Sequence, residues 1–418
     1  MPGKYDEKVK RVKDAIELKV PDRVPIIVHT GIFPILNAGY TVAEVIYDAS
    51  LQKFKDSILK YCNDFDPDAV SGIGNSYAGE GPALELADPK NMRWAGMPGD
   101  IIDKNSFQQF IEYPLLHDEE FDEFFSDRTG WALRRALPRV AAIYEPLKKT
   151  DYSLGYSSRG VRRIASVYSS PEYRTMIQNL WAIDDFYTEY QLRFDELNKA
   201  IFDLGYPDFS TGVGFGEVPF DFYSDFLRGT MLACADIYER PEDIERFIEE
   251  LLPKTLAAVR GTKGIAEGKH VFMPLHKGMD SFMSLEHYRK YYWPHLQQII
   301  LAVIESGKTP HVFAEGKYIT RLDCLAEVPP GKVYYHFEDI DMAVAKKKLG
   351  GIACITGGFP SALLDWGTPD QVRDTAKKLI DDCAPGGGYI FGTSCGLGNC
   401  KRENVEALFE TVREYGVY

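Results

Sequence analysis

The segment His311-Val-Phe-Ala-Glu315 carries two side chains able to bind a metal or move a proton, and His336 and Cys395 follow farther along the chain. Side chains alternate along a strand, so His311, Phe313 and Glu315 share one face, with Glu315 at the strand end before Gly316. His336 closes the next predicted strand, and Cys395 directly follows a later one. Carboxylate, imidazole and thiolate are all zinc ligands, and three of them with one open position is the pattern of a catalytic rather than a structural site. A lone buried His or Cys is as often a packed residue. The occurrence of all three types at strand ends favours a metal, with Glu315, His336 and Cys395 as its ligands. His311 is then a fourth ligand or a group that meets substrate, and Phe313 lies on the substrate side of the same strand.

Other features are weaker. His276 follows a predicted strand ending Pro274-Leu275, where it would contact substrate, orient a ligand or simply occupy a loop. Cys395 and Cys400 lack the second pair that a structural zinc knuckle needs. The Gly212, Gly214, Gly216 run has neither the spacing of a dinucleotide fingerprint nor a Gly-Lys-Ser ending, and reads as a loop that approaches a ligand closely. Phe215, Phe220, Phe222, Tyr223 and Phe226 crowd one loop-to-helix segment, mostly as core, with a few lining a pocket for a flat organic molecule.

These residues need a scaffold that gathers strand ends. The last hundred or so residues alternate strand and helix: 309–315, a weak helix near 318–326, 332–337, 341–349, 352–356, then a helix entered through Thr368-Pro369, a strand at 389–394 and a final helix ending before Gly416. Such repeats imply a parallel sheet. Upstream, 25–29, 69–73, 208–213 and 270–275 read as further strands, while 44–63, 156–203 and the residues before Pro21 read as helical. The stretch 77–127 shows little periodicity and is expected to be a long surface excursion. The whole is an α/β chain, a (β/α)8 TIM barrel with N-terminal helices and long insertions. It is expected to form a single domain over residues 1–418, with 1–20 as a helical extension.

Composition narrows the partners. The net charge of -14 disfavours nucleic acid and anionic membranes. No apolar leader and no stretch of about 18 apolar residues is seen, so neither export nor a membrane span is expected. Seven cysteines, an odd number, suit free thiols in a reducing cytoplasm.

The chain resembles the uroporphyrinogen decarboxylase superfamily, and within it the corrinoid-dependent methyltransferases. The residues that carry the likeness are Pro21-Asp-Arg-Val-Pro25, Leu227-Arg228-Gly229, Tyr238-Glu-Arg-Pro241, Gly386-Gly-Gly-Tyr-Ile390, Cys395-Gly396 and Glu403-Asn404-Val405. The decarboxylases themselves carry an arginine-rich segment after the first strand that grips the substrate carboxylates. Here that place reads His29-Thr-Gly-Ile-Phe-Pro34, so decarboxylation is not expected. The methyltransferase branch holds zinc through a His-x-Cys pair and a later Cys. His311 and Cys395 match the first and last of these, and Phe313 stands at the middle one. A harder zinc site suits an oxygen donor, as in the methyltransferase I component of anaerobic O-demethylases, whose zinc set is similar to Glu315 followed by His336.

The resemblance therefore implies Zn2+ in this chain, a corrinoid (cobalamin) carried by a partner protein, and a methoxylated aromatic as methyl donor, with a homodimer left open. Two other readings stay in play. One is a thiol-directed methyltransferase of coenzyme M type; the other is a metal-free binding subunit of a methyl-transfer complex.

Overall fold

The computed structural model describes residues 2–72, 77–99, 101–149, 158–207, 209, 217–261 and 270–418. A short antiparallel pair, β1 (Met92–Arg93) and β2 (Gln109–Phe110), lies in the insertions. The main sheet is parallel, in the order β3 (His270–Leu275), β4 (Thr309–Ala314), β5 (Tyr334–Phe337) and β6 (Cys354–Gly357). Every residue of β5 and β6 is buried, as expected of strands covered on both faces.

Backbone hydrogen bonds continue this sheet round most of a ring, and a ring contact spans the last junction. Ile355 N donates to Gly388 O and Ile390 N to Ile355 O, both at 3.1 Å, adding the stave at 389–393. Ile27 N to Phe391 O at 2.9 Å and Phe391 N to Pro25 O at 2.8 Å add residues 24–29. Asp68 N to Ile26 O at 2.9 Å brings in 68–71, and Phe209 N to Val70 O at 2.8 Å brings in 207–209. The Phe209 ring then lies 3.6 Å from the His270 ring at the start of β3. The architecture is the (β/α)8 barrel, wrapped by helices. The upstream strand expected at 208–213 falls, apart from Phe209, outside the described residues, as does Ile73 of the 69–73 strand.

The floor of the barrel is apolar. Val12, Ala15 and Ile16 recur at helical spacing on the Pro2–Ile16 helix and pack on Ile27, Ala69, Phe209, Tyr334, Cys354 and Ile390. Arg11 and Arg23 both pair with the fully buried Asp68, whose carboxylate also accepts from Ile26 N at 2.7 Å. The Pro21–Pro25 segment thus ties helix, first stave and second stave together. Residues 402–415 form the expected last helix, and Asn404 donates to the carbonyls of Leu364 and Gly367.

The stretch 77–127 differs from expectation. Trp94, Ala95, Leu116, Phe121 and Phe124 are buried in the main core, and Arg139 clamps Glu120 while Arg228 reaches Leu116 O at 2.7 Å. Its anchors are irregularly spaced aromatics, which fill a core without any helical or strand period. No helix among the described residues is long and apolar enough to cross a membrane.

Candidate active site

Alternation along β4 sends Val312 and Ala314, both fully buried, toward the helices, and His311 and Phe313 into the barrel. On β5 it sends Tyr334 and His336 inward, while the outward Tyr335 bonds Leu325 O at 2.9 Å. The register pairs Phe313 with His336 and His336 with Thr356. The result is a middle layer of rings: Phe313 to His336 at 4.3 Å, Phe272 to His311 at 5.3 Å, and His311 to His336 at 5.9 Å and only 14° from parallel.

These imidazoles are neutral. Burial pushes His336 down to about 4, partly offset by its bond to the Thr393 carbonyl. That bond, at 2.8 Å, is made by Nε2, so Nε2 carries the hydrogen and Nδ1 keeps its lone pair. Burial, then the neighbouring His336, His270 and His29, hold His311 well below its ordinary value. His311 Nε2 is buried without a hydrogen-bond partner. A neutral, buried imidazole with an unused nitrogen is the state a metal ligand requires.

Above this layer lies the mouth. His276 directly follows β3, with Nδ1 paired to Asp225 and Nε2 3.6 Å from Glu315, the first residue beyond β4. Asp225 also holds the Lys277 ammonium at 2.9 Å. The fully buried Asp221 fixes the turn itself, accepting from His276 N at 3.1 Å, Lys277 N at 2.9 Å and the Tyr292 hydroxyl. Glu338 accepts from Gly316 N at 2.6 Å, just past Glu315.

The electrostatics follow from this crowding. Burial would lower His276, yet the bond to Asp225 and the charges of Asp221, Glu315 and Asp225 raise it to about 9. Burial raises Glu217 to about 7, helped by Asp221 and Asp225. Glu315 is raised, by burial first, with His276 opposing and Glu338 adding to it.

The sequence-predicted residues thus fall into three places. His311, Phe313 and His336 converge inside the barrel; Glu315 and His276 meet at its mouth; Cys395 is exposed, with its backbone N and O held by Ser361 at 3.2 and 3.0 Å. Among the described residues, the one set of three donors with atoms within 4.8 Å of one another is His117, Glu119 and Glu120, where Glu120 is already committed to Arg139. Gly212, Gly214 and Gly216 lie outside the described residues.

Sequence reasoning missed Glu217, Asp221 and Asp225. Their spacing of four was a readable signal, since i, i+4 and i+8 fall on one side of a helix. Their neighbours Phe220, Phe222 and Tyr223 drew attention to packing instead, and packing is what Phe220 and Tyr223 do.

Residues 208–415 match the family Uroporphyrinogen decarboxylase (URO-D). Over 98% of both chains the fold is similar to that of a methyltransferase from Methanosarcina mazei, with a TM-score of 0.57 at 14% sequence identity. No curated protein matches the chain.

Proposed function

From the premise of a uroporphyrinogen decarboxylase-type domain over residues 208–415, we propose that this protein is a methyltransferase. It takes a methyl group from an aryl methyl ether bound at the barrel mouth and passes it to the reduced corrinoid of a partner protein. The likeness in fold to a methyltransferase supports the reaction class.

The observation that carries the reading is the sign of charge at the mouth. Glu217, Asp221, Asp225, Glu315 and Glu338 gather there around His276, with Lys277 paired to Asp225. Such a field repels a polycarboxylate, the kind of substrate the name-giving decarboxylase grips, and admits a neutral molecule. Phe272 and Phe313, 6.2 Å apart, offer flat apolar walls to an aromatic ring.

Zinc is the metal the resemblance implies, but its candidate ligands stand apart: His311 and His336 inside the barrel, Glu315 at the mouth and Cys395 exposed, with no three of them within 4.8 Å of one another, so as arranged they do not form a site for one ion. The protein's own part is positional. Asp225 engages Nδ1 of His276, so the proton on Nε2 faces the mouth, where it donates to the departing oxygen. Asp221 holds the backbone of the same turn, which keeps that proton in place.

A single-turnover assay with a reduced corrinoid protein tests this, using methoxylated aromatics, thioethers and methylamines in parallel. Loss of the reduced-corrinoid absorbance with release of a phenol is the expected result. Turnover of thioethers alone would replace the ether reading, and no turnover with any donor would end the methyltransferase reading.

A further inference from the structure

A strand rises about 3.3 Å per residue, so the backbone of His311 and that of Glu315, just past the end of β4, stand about 13 Å apart. Phe313 lies between them on the same inward face. Its ring is 4.3 Å from the His336 ring and 6.2 Å from that of Phe272. An apolar ring thus fills the level at which a third ligand would join the two inner imidazoles. The other donors are engaged elsewhere. His336 gives Nε2 to the Thr393 carbonyl at 2.8 Å, and Glu315 faces the His276 ring. Cys395 is exposed, and its peptide is pinned by Ser361 Oγ at N and O and by Thr393 Oγ1, which donates to its O at 2.8 Å. A catalytic zinc needs three protein ligands at about 2.0–2.3 Å from one point.

The mouth holds a proton donor on a fixed turn instead. Residues 275–278 are held one after another. The Tyr318 hydroxyl donates to Leu275 O at 3.2 Å, Asp221 accepts from His276 N and Lys277 N, and the buried Arg321 donates through Nε to Gly278 O at 3.2 Å. The Tyr292 ring closes the last gap, for a Cβ on Gly278 would come within 2.8 Å of it. Asp225 holds Nδ1 of the His276 ring, which leaves Nε2 toward the mouth. A donor fixed before the substrate arrives needs no reorganisation as charge develops on the oxygen.

We propose that this chain works without a resident metal ion: Phe313 closes the place of the ion, and the Nε2–H group of His276 is the electrophile that replaces it. The inference rests on the methyl-transfer reading above. In the step, the bond between methyl carbon and ether oxygen breaks and its electron pair stays on the oxygen. The Nε2 proton caps that oxygen as a phenol, and the electron pair for the new bond to carbon comes from the reduced corrinoid of the partner. His276 then recovers a proton from solvent. A proton donor serves an oxygen leaving group but does not ionise a thiol, which a bound zinc does. Thiols therefore fall outside the range of methyl acceptors.

The test reads metal and chemistry separately. The full chain, purified with Zn2+ present and then desalted, is expected to hold far less than one ion per chain by plasma mass spectrometry. Phe313→Cys puts a thiolate at the level of both imidazoles and is expected to bind Zn2+ at least about 100-fold more tightly than the wild type. Single-turnover methyl transfer from a methoxyphenol to the reduced corrinoid protein is expected to keep its rate after dipicolinate treatment. A wild type that retains one ion, or a chelator-stopped transfer that Zn2+ restores, overturns the proposal and leaves the methyl-transfer reading standing. A Phe313→Cys chain that binds Zn2+ no more tightly than the wild type overturns the role given to Phe313. No transfer from any donor, with or without Zn2+, ends the methyl-transfer reading and the proposal with it.

Discussion

The His276 Nε2 nitrogen faces a Glu315 carboxylate oxygen at 3.6 Å, across the barrel mouth from the end of β3 to the end of β4. With Asp225 on the other ring nitrogen, the imidazole stands between two carboxylates and keeps both protons.

The first prediction follows from that arrangement. His276 is raised to about 9, so it stays protonated from acid through neutral pH and loses its proton only as the pH climbs through that value. Methyl-transfer rate is expected to hold level near neutrality and fall in the alkaline range, in the sense set by a raised pKa. Asp225→Asn removes the principal hydrogen-bond partner and moves the fall to lower pH. Both Asp225→Asn and His276→Gln are expected to slow ethers with poorly acidic phenols by about 10–100-fold, and nitrophenyl ethers far less. Equal losses for both kinds of ether would mean that His276 only supports the turn.

A second prediction concerns acid stability. Burial alone depresses His29 to about 4, below the ordinary histidine value of about 6.5. As the pH falls through that window, the unfolded chain takes up a proton that the folded chain refuses. The stability is therefore whole above about 6.5 and shrinks as the pH drops toward about 4. Urea titrations at several pH values should show the midpoint falling across this range. His29→Gln should flatten the trend, and a slope identical to the wild type would rule out His29 as its source.

The excursion expected at 77–127 gives a third. Trp94 is 2% exposed and donates to the Tyr47 hydroxyl at 3.2 Å. Trp94→Ala is expected to cost about 3–5 kcal/mol, measured by denaturant unfolding, where a solvent-facing loop residue would cost almost nothing.

What the sequence revealed and concealed has a physical basis. The C-terminal βα units were readable because strand period, helix period, the Thr368 cap and the glycine turn at 386–388 agree locally. Gly387 illustrates the turn: its φ is +77°, and a Cβ there would come within 2.4 Å of Lys19 O. The motif residues Arg23, Arg228 and Asn404 proved to be fasteners, paired with Asp68, Asp236 and main-chain carbonyls. The inward face of β4 was legible from alternation, but which site residues meet was not. That depends on barrel register and on a helix start at Pro219, which places Asp221 and Asp225 against a turn some fifty residues later.

The last prediction separates the candidate ligands of the metal. His311 and His336 lie inside the barrel as neutral imidazoles, whereas Cys395 is exposed. If added Zn2+ draws the inner pair and Glu315 together against the arrangement seen, protein stripped with a chelator and titrated with the ion should bind about one equivalent. His311→Ala and His336→Ala should each weaken binding at least about 100-fold, since each removes a directly bound nitrogen. Cys395→Ser should weaken it by less than about tenfold, the scale of a residue that does not itself bind the ion. Alkylation of Cys395 gives an independent reading, for an exposed thiol reacts quickly and a zinc-bound one does not. Zn2+ that fully protects Cys395 from alkylation would show the thiol swinging in to join the site, and would move it from bystander to ligand.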